Sequence, residues 1–273
     1  SYNPSKKAKI GIVKGFSLCE SFDEQVACLE KIKQHFISLG HEVVDFSFDG
    51  YMKLYDTAFK NLSVILNENQ HTLRGEKPYY FYNFIYEMNS RSWLAKKLWA
   101  GFYRLVGKER IARRYERTDL SLYNTLPFLG NIKELDALKS KFFDDLREME
   151  IDTIIMPTAP HPAGVRDNYD CQIDNIFYTM IGNILNLSGG VVPVKIVEDT
   201  TYKTKHNDSI TRIIEENMKT SKGLPYSLQV LTLPYRDEKA LRLMQEVDQI
   251  FKFSENKAVW DEQIGRASCR ERV

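Results

Sequence analysis

Residues 9–48 constrain the fold more than any other part of the chain, because they pass from strand to helix to strand with little between. Lys9–Val13 (KIGIV) is a short apolar run of the kind that forms a buried strand. In Asp23–Leu39 the apolar residues Val26, Leu29, Ile32, Phe36 and Leu39 recur at the spacing of an amphipathic helix. Gly40 stands where a helix C-cap is expected, and His41–Phe48 (HEVVDFSF) reads as a second strand. A strand, a helix and a strand of these lengths make a βαβ unit, which places the chain in the α/β class. No G-x-G-x-x-G follows Val13, so the first turn is not that of a dinucleotide-binding unit.

The rest of the chain continues in the same style. Tyr51–Glu68, Ile132–Met149, Ser209–Met218 and Asp237–Phe251 read as helices, and Asp174–Leu187 as a buried one. Ile151–Met156, Val191–Val197 and Tyr226–Leu231 read as strands, the first closed by Pro157. Asp199–Asp208 is polar and reads as a surface loop. With 273 residues, 43% hydrophobic and 27% charged, the chain can bury a sizeable core. Cys19, Cys28, Cys171 and Cys269 lack C-x-x-C spacing, which argues against a zinc site or a disulfide framework and fits a reducing compartment. The chain starts without a signal-peptide pattern, and no apolar run is long enough to span a bilayer. Ile264–Val273 (IGRASCRERV) reads as a translated sequencing adapter and is set apart from the fold. Without its three arginines and one glutamate the formal net charge falls from +1 to −1.

One region departs from this pattern. Tyr79–Met88 (YYFYNFIYEM) is dense in aromatics, and between Arg91 and Arg117 nine basic residues face only Glu109 and Glu116. Leu94, Leu98, Phe102 and Leu105 recur at helical spacing with Trp93 and Trp99 beside them. A basic amphipathic helix with tryptophan near its apolar face suits a membrane interface, where each cation near an anionic leaflet adds about 1 kcal/mol. A surface helix whose apolar stripe packs on its own core has the same periodicity, and a helix laid in a partner's groove is a third reading.

Three later segments carry a resemblance. They are Asp152-Thr-Ile-Ile-Met-Pro-Thr-Ala-Pro160, Asn183-Ile-Leu-Asn-Leu-Ser-Gly-Gly-Val-Val-Pro-Val194 and Gly223-Leu-Pro-Tyr-Ser-Leu-Gln-Val-Leu-Thr-Leu-Pro-Tyr-Arg-Asp-Glu-Lys-Ala-Leu241. In order and spacing they resemble the C-terminal half of the amidase-signature family, and of its fatty-acid amide hydrolase branch most of all. Residues 1–263 are accordingly expected to form part of one amidase domain, a mixed β-sheet layered by helices, with a membrane-binding cap at about 79–117. The resemblance implies a Ser-Ser-Lys set on a glycine- and serine-rich motif and an upstream strand lysine. Neither motif occurs in this sequence, so no residue here is assigned a catalytic role and the isolated chain is expected to be inactive.

Two residues invite a catalytic reading and are declined. Lys14 lies in the βαβ unit, which matches the region after the catalytic core. Ser188 lacks the flanks of a nucleophile elbow. His35, His41, His71, His161 and His206 are too widely spaced for a ligand set or a triad. The resemblance places Ile173, Ile176 and Met180 along the acyl chain, and i, i+3, i+7 spacing puts them on one helical face, as it would for an ordinary core stripe. Ile210 stands where the branch carries an aromatic channel residue. Trp93, Leu94, Leu98, Trp99 and Phe102 form the expected membrane face of the cap.

As a whole protein the resemblance implies a hydrolase that cleaves fatty-acid amides, and esters as well, through an acyl-serine intermediate. It implies no cofactor and no metal. Its partners would be a lipid amide and a membrane surface, not a nucleic acid, with a homodimer left open. Its location would be intracellular, with peripheral or integral monotopic membrane association. The alternatives are a soluble amidase or amidotransferase subunit, and a catalytically dead membrane-binding relative.

Overall fold

The computed structural model describes residues 7–68, 74–76, 86, 90–117, 122, 124–164 and 172–253. The aromatic run at 79–88 (except Tyr86) and the tail at 264–273 lie outside the described residues.

The βαβ unit forms as its pattern predicts. Strand β1 (Lys9–Ile12) leads into helix α1 (Asp23–Ser38) and strand β2 (Glu42–Asp45), and the two strands pair in parallel from Lys9↔Glu42 to Ile12↔Asp45. The second strand is shorter than the HEVVDFSF run suggests. Its last aromatic, Phe48, turns inward to stack on Phe142 at 5.7 Å and precedes a 3₁₀ turn, Asp49–Tyr51. Helix α2 (Met52–Glu68) follows. Helices α3 (Trp93–Leu105) and α4 (Glu109–Glu116) make an antiparallel hairpin, and α5 (Thr125–Glu148) returns to the body. α5 begins seven residues before Ile132, where its apolar pattern sets in, because Pro127 falls in the first turn and its missing N–H is not needed there.

Strand β3 (Thr153–Pro157), helix α6 (Gln172–Ile184), strand β4 (Ser188–Ile196), helix α7 (Ser209–Lys219), strand β5 (Pro225–Thr232) and helix α8 (Asp237–Phe251) complete the fold. The five strands form one mixed sheet in the order β2-β1-β3-β5-β4, in which β5 runs antiparallel to both of its neighbours. Pro157 sits inside β3 and not beyond it, paired with Leu228 as the last residue of the strand.

Gly189 and Gly190 are the second and third residues of β4. A β-carbon on Gly189 would lie 2.4 Å from the Val230 carbonyl oxygen and 2.8 Å from Leu231, and one on Gly190 would lie 2.7 Å from Met244 of α8. Successive strand residues point to opposite faces, so α8 covers one face of the sheet. Leu231, which Gly189 meets, also lies 3.7 Å from a β-carbon built on Gly182 of α6, on the other face. α1 joins α8, with Lys31 over the Phe251 ring, while α2 contacts both α5 and α6 on the opposite face. The core between these layers is dominated by Ile10, Ile12, Leu29, Phe36, Phe142, Ile155, Phe177, Ile181 and Val230. Burying each such side chain contributes about 1.5–3 kcal/mol. Among the described residues no helix is long and apolar enough to cross a membrane, and no group of His, Cys, Asp and Glu could hold a metal ion.

Candidate functional site: the strand-end rim and the apolar hairpin

Open α/β sheets place ligands outside the carboxyl ends of their parallel strands. At that end the loop after β1 and the loop after β3 are held by side chains of α6, α1 and β5. The Tyr178 hydroxyl, fully buried on α6, donates to the Cys19 carbonyl at 2.5 Å. It accepts from the Phe16 amide at 3.3 Å and faces Ser21 Oγ at 3.3 Å. Burial drives its pKa far above the ordinary tyrosine value.

In the second loop, Gln229 Nε2 donates to the carbonyls of Pro157 and Tyr178, Gln25 Nε2 to that of Ala159, and the Phe22 amide to that of Pro160. Carbonyls buried without such donors would cost about 1–3 kcal/mol each. His161 completes the loop. Its Nδ1 faces the Pro162 carbonyl at 2.8 Å and its Nε2 faces Asn175 Nδ2 at 2.7 Å. A carbonyl only accepts, so Nδ1 carries the proton and Nε2 accepts from Asn175. Burial keeps this imidazole neutral, with its pKa below the ordinary value.

The residues expected along an acyl chain divide. Met180 is 8% exposed on α6 and Ile210 1% exposed on α7, both in the core cluster, with Ile176 half-buried against it. The Ile173 side chain lies outside those described. Burial on this stripe is what a core face and a channel wall both require. Ser188 has a structural use, accepting from the Arg236 amide at 3.2 Å. Lys14 is exposed beside Glu30 and Asp45.

The hairpin reverses the usual amphipathic arrangement. On α3 the buried side chains are Lys96 and Ala100, while Trp93, Leu94, Leu98, Trp99, Phe102 and Leu105 face outward, with Trp93 61%, Leu98 66% and Leu105 88% exposed. The stripe therefore does not pack on its own core. An exposed apolar face of this kind marks an interaction surface, for a protein, a ligand or a membrane.

The basic residues behave differently from the charge count. Arg104 binds Glu116 through both terminal nitrogens, at 2.5 and 2.6 Å, and also Glu109. Arg113 reaches Glu109 and Asp56, and Arg117, buried over the Phe177 ring at 4.1 Å, donates to Asp56. Lys96, Arg110 and Arg114 are buried. Six of the nine cations are thus paired or buried, the Arg104 pairs lying at the surface, and Lys97 is exposed over the Trp93 ring.

Arg110 is the deepest of these side chains. Its Nε donates to Asp208 Oδ2 at 3.0 Å and its Nη2 to Asp208 Oδ1 at 2.5 Å. Thr211 Oγ1 lies 2.5 Å from Nη2, and the Leu18 carbonyl 3.3 Å from Nη1. Asp208 is also the N-cap of α7, accepting from the Thr211 amide. Burial alone would raise its carboxyl; the Arg110 hydrogen bonds and the Thr211 amide outweigh that and hold it below the usual carboxylate value. Removing one partner of so buried a pair typically costs about 3–5 kcal/mol. Sequence reading missed this pair, along with Tyr178 and Asn175. The available signals were an aspartate at a helix N-cap position and a tyrosine within an apolar helical face, whose hydroxyl needs a partner when buried.

Comparison with known proteins places this arrangement. The profile of the Amidase family matches residues 1–241. Fatty-acid amide hydrolase 1 of Sus scrofa is 29% identical over 123 residues, 43% of this chain and 21% of that protein. Fatty acid amide hydrolase 1 of Caenorhabditis elegans is 28% identical over 120 residues, 42% of this chain and 21% of that protein. These alignments span about a fifth of the curated relatives' length. A solved fatty acid amide hydrolase superposes over 89% of this chain and 40% of its own, with a TM-score of 0.55 at 16% identity. A 6-aminohexanoate cyclic dimer hydrolase in complex with substrate superposes over 92% and 46%, with a TM-score of 0.51 at 13% identity. With a family match that runs from the first strand into the last helix, the chain belongs to the amidase family of hydrolases.

Proposed function

We propose that this chain is the substrate-facing wall and lipid-surface cap of a serine amidase that cleaves fatty-acid amides. The nucleophile, second serine and lysine would then lie on a segment outside these 273 residues. The observation that carries the reading is the outward apolar face of α3, mounted on a hairpin whose base is tied to the strand-end rim through Arg110. A substrate with a long acyl chain partitions into lipid, and an enzyme that docks an apolar face on that lipid collects it there. The likeness to fatty-acid amide hydrolases supports the substrate class. Because most hairpin cations are already paired or buried, docking is driven by apolar insertion more than by charge.

Co-sedimentation of the chain with phosphatidylcholine vesicles tests this. The chain should pellet with neutral vesicles, and the Leu98→Asp/Phe102→Asp variant should stay in the supernatant with its circular dichroism unchanged. Wild-type protein that ignores vesicles would return the reading to a soluble amidase.

A further inference from the structure

We propose that Arg110 is a positioning residue, a latch through which the lie of the α3–α4 hairpin on a lipid surface is passed to the strand-end rim. The inference rests on the lipid-surface reading of the hairpin and adds how that surface is linked to the site. The guanidinium belongs to α4 and is bound by groups outside the hairpin: the Asp208 carboxylate, Thr211 Oγ1 and the Leu18 carbonyl.

Those three acceptors sit on two elements that matter to the rim. Asp208 and Thr211 form the first turn of α7 and flank Ile210, the residue expected to face the acyl chain. Leu18 precedes Cys19, whose carbonyl receives the Tyr178 hydroxyl. One planar fork therefore fixes the angle of α4, the start of α7 and the loop after β1 together. Lysine, a single point charge, cannot satisfy three acceptors in these directions. Arg113 and Arg117 tie the hairpin to Asp56 of α2, and Arg117 also lies over the Phe177 ring of α6, but neither of these contacts reaches the start of α7 or the loop after β1.

Hydrogen exchange read by mass spectrometry on the whole chain, with and without vesicles of phosphatidylcholine and phosphatidylserine, tests the latch. In the wild type, vesicles should slow exchange over 93–105 and also, by about tenfold, at the amides of Thr211 and Cys19, the change expected from firmer charge-assisted hydrogen bonds. In Arg110→Met, vesicles should slow 93–105 alone. Arg110→Lys should restore the protection of β3 but not the response at Thr211 and Cys19, which separates positioning from plain stabilisation.

Wild-type slowing over 93–105 with no change at Thr211 and Cys19 overturns the latch, as does a full response in either variant. If vesicles leave 93–105 untouched in the wild type, the lipid-surface reading fails and the latch is decided without lipid. Arg110→Met must then speed exchange at Thr211 and Cys19 relative to β3, and equal rates overturn it. Should Arg110→Met lose the protection of β3, Thr211→Val, which removes one acceptor and keeps the ion pair, carries the comparison.

Discussion

Two buried tyrosines provide a sharp test of how the rim is held, because the same one-atom deletion has opposite consequences at each. Tyr178 has a saturated hydroxyl, donating to the Cys19 carbonyl, accepting from the Phe16 amide and facing Ser21 Oγ. Tyr55, buried in the same aromatic cluster 5.7 Å from Phe16, has a hydroxyl with no hydrogen-bond partner among the described residues. Tyr178→Phe strands groups that water cannot reach and should destabilise the chain by about 2–4 kcal/mol. Tyr55→Phe removes an unsatisfied polar atom and should be neutral or stabilising by about 1 kcal/mol.

Urea unfolding followed by circular dichroism, with the slope of the transition unchanged, measures both. Equal effects, or a Tyr178→Phe change within about 0.5 kcal/mol of zero, would refute the reasoning. The pH dependence gives a second reading. Burial raises both phenols above the ordinary value, so above a pH of about 10 the unfolded chain loses protons that the folded chain keeps. The stability they contribute is complete below that pH and is lost as it rises, by about 1.4 kcal/mol per pH unit for each phenol. Either Phe variant should remove one such share.

Further outcomes follow from other sites. Gly189→Ala puts a methyl group against the Val230 carbonyl and should cost about 3 kcal/mol or more, whereas Gly190→Ala meets only the mobile end of Met244 and should cost about 1 kcal/mol; chemical denaturation compares them. Vesicle binding should differ little between neutral and anionic lipid and change little with salt, since the hairpin's cations are mostly paired or buried. A steep fall in binding with added salt would contradict that assignment. His161 has its pKa depressed by burial, so below a pH of about 6.5 the unfolded chain takes up a proton that the folded chain refuses. Its contribution to stability is complete above that pH and is lost as the pH falls toward the folded value, and His161→Gln should flatten this loss in pH-dependent melts.

How much of this was legible in the sequence depends on the range of the physics involved. Periodicity is local, and it gave α8 at Asp237–Phe251, the βαβ unit and the buried character of α6. Ends depended on less local matters. α5 starts at Thr125 because a proline in the first turn is harmless, and β4 begins at Ser188 because its glycines admit the Val230 backbone and not because they turn. The α3 stripe shows the limit of pattern reading. Spacing identified an apolar face, but which way it points depends on the opposite face, where Lys96 and Ala100 are buried and Tyr103 stacks on Tyr115 of α4. Counting charges does not show how many of them are paired, for a similar reason. Nine basic residues suggested attraction to anionic lipid, whereas partners at Asp56, Glu109, Glu116 and Asp208 engage four of them, and two of those four partners lie far off in sequence. The Arg110–Asp208 pair is separated by 98 residues, beyond the reach of any local pattern.

The central claim is that this chain forms the lipid-facing half of a fatty-acid amidase. The most direct measurement extends the coding sequence in the 5′ direction, expresses the joined protein and follows release of fatty acid from a long-chain amide dispersed in phosphatidylcholine vesicles. The account predicts an upstream glycine- and serine-rich motif with a strand lysine, and turnover that Leu98→Asp/Phe102→Asp lowers on vesicle substrate but not on a short soluble amide. An extension without the serines, or turnover equally indifferent to the hairpin on both substrates, would contradict it.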